Sequence, residues 1–145
     1  GSGQDRLSFG AGMFNVIPGH GGPDDTSAEG RFEYRLGGRW YGIGPMVGVM
    51  ANSDGAVFGY VSGYADLAYG PWILTPTVGV GAYSDGSSKD LGGVFQFGLS
   101  FEVAYAFEND TRLGLRWAHI SNAGLHDRNP GVDSVLVTLS VPLGF

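Results

Sequence analysis

From residue 95 to residue 107 every second side chain is large and apolar: Phe95, Phe97, Leu99, Phe101, Val103, Tyr105 and Phe107. Between them stand Gln96, Gly98, Ser100, Glu102, Ala104 and Ala106, all small or polar. Side chains on a strand alternate between two faces, whereas a helix brings residues to one face every 3.6 positions. A run like this has one regular home, a β-strand with one oily face and one lean, polar face.

The same alternation recurs along the chain. Leu7, Phe9, Ala11 and Met13 share a face in a first strand. In the second, Phe32, Tyr34 and Leu36 oppose Glu29, Arg31, Glu33 and Arg35. A third, from about residue 39 to residue 50, is less regular. In the fourth, Val57, Val61, Ala65, Leu67 and Tyr69 oppose Tyr60, Ser62, Tyr64 and Asp66. The fifth sets Trp72, Leu74, Val78, Val80 and Ala82 against Thr75, Thr77, Gly79 and Gly81. After the sixth, described above, the seventh carries Leu113, Leu115 and Trp117 on one face. The eighth alternates Val135, Val137, Leu139, Val141, Leu143 and Phe145 against Ser134, Leu136, Thr138, Ser140 and Pro142. No useful length shows helical spacing, because glycines interrupt every window and β-branched and aromatic residues dominate.

The connections alternate in length. Residues 18–27, 83–93 and 122–131 form long links, and residues 52–55 an intermediate one. Gly37-Gly38, Gly70-Pro71 and Glu108-Asn109-Asp110 read as tight turns. Long links at one end and short turns at the other are the habit of outer-membrane barrels, whose periplasmic turns are short. Two all-β architectures compete. A soluble barrel keeps its apolar face inside; a membrane barrel turns it outward. Only 15% of residues are charged and Lys89 is the one lysine, too little charge for a water-facing surface. The lean faces hold glycine, serine, threonine and charges of both signs, which suit a narrow eight-strand interior. The expectation is an all-β fold: one domain over residues 1–145, an eight-stranded antiparallel transmembrane β-barrel with short periplasmic turns and longer extracellular loops. The terminal Phe145 resembles the assembly signal that ends bacterial outer-membrane proteins. Gly1-Ser2-Gly3 reads as a cloning scar ahead of a mature sequence.

Some classes are excluded. There is no cysteine, hence no disulfide, thiolate metal site or cysteine nucleophile. A net charge of -6 is the wrong sign for a nucleic-acid partner. No run approaches the roughly 18 apolar residues of a membrane helix.

The oily face of the seventh strand is broken near its long-loop end. Leu113, Leu115 and Trp117 are followed at the same parity by His119 and Ser121. Polar groups facing hydrocarbon are costly. His119 and Ser121 lie two residues apart on one face, their Cα atoms ~6.5–7 Å apart at strand rise. A neighbouring imidazole is how a serine hydroxyl becomes a nucleophile, and a carboxylate that orients the imidazole completes such a site. Asp133 has outward parity on the eighth strand and can supply it. The competing reading places all three at the membrane–water border, where polar side chains are tolerated.

The stretch His119-Ile120-Ser121-Asn122-Ala123-Gly124-Leu125, followed by Asn129, Gly131 and an acidic residue at 133, resembles the outer-membrane lipid A 3-O-deacylases, the PagL family. The motif runs from about residue 116 to residue 134; the earlier strands match in layout only. The resemblance implies an esterase of the bacterial outer membrane. It would remove the 3-O-linked β-hydroxyacyl chain of lipid A without metal or cofactor. It assigns His119 as general base, Ser121 as nucleophile, and Asn122, Ala123 and Gly124 to the oxyanion hole. Asp133 falls where the family commonly has Glu, one methylene longer. The implied partners are lipid A or lipopolysaccharide and the surrounding membrane lipids, and a homodimer is compatible with the sequence. A structural or adhesive barrel, or an acyltransferase on similar lipids, are the alternatives.

Other polar residues have simpler readings. His20, near Asp24 and Asp25, sits in a Gly/Pro-rich loop that reads as solvated rather than metal-binding. His126, Asp127 and Arg128 flank the motif and fit either solvent or lipid A sugars and phosphates. Tyr60, Tyr64 and Asp66 read as interior hydrogen bonding, and Tyr69, Trp72 and Trp117 as interfacial anchors.

Overall fold

Alternating side chains can be satisfied on both faces only if the sheet closes, and this one does. The structure, a computed structural model, describes residues 4–16, 26–87, 91–122 and 131–143. They form β1 (Arg6–Phe14), β2 (Ser27–Arg35), β3 (Gly44–Asn52), β4 (Val57–Tyr64), β5 (Leu67–Tyr69), β6 (Trp72–Ser84), β7 (Phe95–Ala106), β8 (Arg112–Ser121) and β9 (Val132–Pro142). The strands pair antiparallel in the order β4-β3-β2-β1-β9-β8-β7-β6-β5, and a further β4–β6 pairing closes the ring.

β4 and β5 are two parts of one crossing, so the barrel has the expected eight. Both lie on β6 in a single register, with Tyr64 opposite Thr77 and Leu67 opposite Leu74. The sequence reads this crossing as one unbroken strand. The interruption at Ala65 and Asp66 falls opposite Pro76. The Ala65 N–H reaches the Pro76 carbonyl at 3.2 Å, but proline has no N–H to return the bond. Asp66 then turns inward, accepting from Thr75 Oγ1 at 2.7 Å and Arg112 at 3.1 Å.

The faces divide as the alternation requires. Val61, Val78, Leu115 and Val137 are exposed on the wall, while Glu33, Arg35, Glu102 and Arg116 are buried within it. The interior has two zones. Midway along the barrel, Arg116 grips Glu33 through both guanidinium nitrogens at 2.7 Å. Arg35 bridges Glu33 and Glu102, Arg116 also reaches Ser100, and the Tyr60 hydroxyl donates to Glu33. Fixed pairing of this kind is what lets charge sit away from water. Toward the long-loop end Phe14, Met50, Phe58, Tyr83, Leu91, Ile120 and Val132 make an apolar plug. Tyr60 and Tyr64 are interior, as expected.

Two boundaries differ from the sequence reading. The third strand begins at Gly44, not near residue 39. The tight turn between β2 and β3 is Tyr41-Gly42, not Gly37-Gly38. Both turn residues have positive φ, 51° and 82°, and Trp40 and Ile43 exchange two backbone hydrogen bonds around them. That is the two-residue hairpin whose twist matches its strands. The other two short turns fall where expected, at Gly70-Pro71 and at 108–110. Phe145 and residues 1–3 lie outside the described residues.

Candidate active site

β8 is held from both sides. Its inward side chains Arg116 and Ile120 belong to the charged network and the apolar plug, which fixes the direction of the outward ones. On the outer wall His119 stands directly opposite Asp133 of β9, and Ser121 directly opposite Phe97 of β7. All three polar residues lie at the long-loop rim, next to the β8–β9 connection.

The His119–Asp133 pair is formed. Nδ1 of the imidazole lies 2.9 Å from Oδ1 of Asp133. The carboxylate side chain is 5% exposed and the imidazole 30%. A carboxylate so sheltered needs donors, and Asp133 has a second one: the indole N–H of Trp117 donates to the same Oδ1 at 3.1 Å. The Trp117 ring stacks on His119, with centroids 6.0 Å apart, and on Phe101, 5.9 Å apart. The sequence reads Trp117 as an interfacial anchor; in the structure its polar tip faces the carboxylate. The sequence signal was its parity with His119 and Ser121, but a parity cannot say where an indole points. Tyr69 and Trp72 are exposed at the opposite rim, as anchors would be.

Gly131 closes the other side of the imidazole. A Cβ there would sit 3.1 Å from Cε1 and 3.4 Å from Nε2 of His119, and its φ of +65° suits glycine. With Nδ1 committed to Asp133, Nε2 is the nitrogen left for a proton from a nucleophile. Ser121, half-buried, shares the face of His119, but among the described residues the imidazole hydrogen-bonds Asp133 and not Ser121. Bonds between base and nucleophile often tighten only when substrate is bound.

Asn122, the next residue, is fully buried, and its side-chain amide donates to the Leu91 carbonyl at 3.1 Å. It ties the end of β8 to the link before β7. Ala123, Gly124, Leu125, His126, Asp127, Arg128 and Asn129 lie outside the described residues, as do His20, Asp24 and Asp25 in the first long loop. Among the described residues no three His, Cys, Asp or Glu side chains gather as a metal site would require.

Comparison with known proteins adds a family to this geometry. A family model described as Lipid A 3-O-deacylase (PagL) matches residues 21–142. The lipid A deacylase PagL of Bordetella bronchiseptica (strain ATCC BAA-588 / NCTC 13252 / RB50) is 38% identical over 75 residues, which span 52% of this chain and 38% of that relative's length. Among solved structures, the outer membrane enzyme PagL superposes with a TM-score of 0.68 at 19% identity, covering 95% of this chain and 99% of that one. A de novo designed transmembrane β-barrel gives 0.68 at 10% identity, over 99% and 98% of the two chains. Neisserial surface protein A gives 0.66 at 14%, over 99% of both. An outer membrane enzyme, a designed barrel and a neisserial surface protein superpose about equally well, so the architecture alone does not select a function.

Proposed function

This chain belongs to the PagL family of lipid A 3-O-deacylases, and we propose that it acts in the bacterial outer membrane as an esterase, hydrolysing the 3-O-linked β-hydroxyacyl chain of lipid A. Ser121 is the nucleophile, His119 the general base and Asp133 the carboxylate that holds the imidazole. The observation that carries this reading is the His119–Asp133 hydrogen bond on a lipid-facing wall, two residues from an outward serine. A polar pair in that place is costly to keep unless it serves chemistry.

The steps use only these groups. Ser121 Oγ attacks the ester carbonyl as its proton passes to His119 Nε2, and Asp133 stabilises the imidazolium. The oxyanion of the tetrahedral intermediate is assigned to backbone N–H donors of the Asn122-Ala123-Gly124 stretch, the segment that follows the nucleophile in sequence. Collapse breaks the ester C–O bond, and His119 returns its proton to the departing sugar hydroxyl. Water, activated by the same imidazole, then releases the fatty acid from Ser121. Substrate reaches the site by lateral diffusion in the leaflet, which accounts for a site on the outer wall.

The test is mass spectrometry of lipid A incubated with the folded barrel. Loss of one hydroxyacyl chain supports the proposal. No change leaves a structural barrel, and gain of a chain an acyltransferase. Ser121→Ala should stop the loss while the barrel stays folded; deacylation that persists in Ser121→Ala rules out this nucleophile.

A further inference from the structure

We propose that Trp117 is a positioning residue of the site, its indole N–H fixing the Asp133 carboxylate against His119. This deepens the function proposed above and rests on it. Trp117 faces Val135 across the β8–β9 ladder, two residues further from the rim than the His119–Asp133 pair. Its N–H therefore approaches the carboxylate diagonally, while its ring lies along the imidazole. Three features single it out. The indole N–H is a donor only, so the bond at 3.1 Å has a fixed sense and requires an acceptor. Both donors converge on one oxygen, Oδ1, so the indole holds in place the same atom that the imidazole binds. The indole is itself held, between Phe101 and His119. Asp133 has a short side chain on the neighbouring strand; a second donor holds it at the distance where His119 Nδ1 can reach it.

Trp117→Phe keeps an aromatic ring and removes the donor. Its kcat on lipid A should fall about tenfold, the loss of one hydrogen bond to a charged group, with KM unchanged. In an Asp133→Ala background the same substitution should cost nothing further, because its effect runs through the carboxylate. Trp72→Phe, at the opposite rim, should leave kcat as it was. An equal loss in both backgrounds, or none in the parent, overturns the proposal.

A second readout does not depend on activity. The chain has three tryptophans, so the indole N–H signals in an NMR spectrum of the folded barrel can be assigned by substitution. The Trp117 signal should move on Asp133→Ala while that of Trp72 stays; an unmoved Trp117 signal overturns the contact and the proposal with it. A barrel that shows this shift yet removes no acyl chain from lipid A overturns the esterase reading instead, and leaves the hydrogen bond standing.

Discussion

At the scale of the residue, the site is a carboxylate made tolerable on a lipid-facing wall. Asp133 accepts from His119 and Trp117, and in the proposed reaction its charge matters more than its shape. Asp133→Asn keeps the shape, loses the charge and can favour the wrong imidazole tautomer. We expect kcat to drop by roughly a hundred- to ten-thousandfold, read by the rate of acyl release, with the barrel still folded. Gly131→Ala tests the other flank. The new methyl would stand 3.1 Å from His119 Cε1 at a φ of +65°, so either the imidazole or the backbone must move. Displacements of about 1 Å in such sites cost about a hundredfold, and a fall of at least tenfold in kcat is the expected result. The outward parity of His119, Ser121 and Asp133 was legible in the sequence, and so was the chance that they meet. Which pair touches was not, because that depends on the β8–β9 register and on rotamers. Trp117 escaped for the same reason: a tryptophan near a barrel rim has an ordinary explanation, and only coordinates show its N–H turned to an acid.

At the scale of the element, period-2 alternation placed the crossings and, apart from the less regular third strand, their faces, since a one-residue slip would have turned charges into lipid. It failed where the backbone departs from the ladder. The β4–β5 break needs Pro76, which lies on the partner strand and is invisible until the register is known. The β2–β3 turn was read at Gly37-Gly38, the only glycine pair in that stretch, whereas the chain turns at Tyr41-Gly42 with positive φ at both positions, one of them a tyrosine that no glycine signal marks. Close packing inside the barrel supplies a test of one element. The Tyr60 ring crosses over Gly48 of β3, where an added Cβ would meet Tyr60 ring carbons at 2.6 and 2.7 Å and its hydroxyl at 2.7 Å. Gly48→Ala must push the ring off and disturb its hydroxyl bond to Glu33. Overpacking of this kind costs about 1–3 kcal/mol, and the urea midpoint for unfolding from lipid vesicles should fall accordingly.

At the scale of the whole molecule, the first and last strands are neighbours in the ring, and Asp5, just before β1, ties that strand's start to both of its partners. Its carboxylate accepts from the Tyr34 hydroxyl and from the Gly37 N–H, while its backbone carbonyl accepts from the Leu143 N–H. The Tyr34 hydroxyl first, and then the Gly37 N–H, hold the Asp5 carboxyl below the usual carboxylate range. A depressed folded value stabilises the barrel above the unfolded value and is lost as the pH falls through the folded one. Asp5→Asn should therefore unfold at lower urea than the parent at neutral pH, and the gap should shrink in acid. The inside-out polarity gives the wider test. Leu115 is 63% exposed at mid-wall, between Val103 and Val137, whereas Tyr41 is 88% exposed in a turn at the rim. On a water-facing surface an arginine at either place would be almost neutral. Facing hydrocarbon, Leu115→Arg should cost about 2–4 kcal/mol and Tyr41→Arg no more than about 1. Reversible urea unfolding in vesicles measures both. Equal, small costs would mean that the wall meets water, and a lipid-side site for lipid A would go with it.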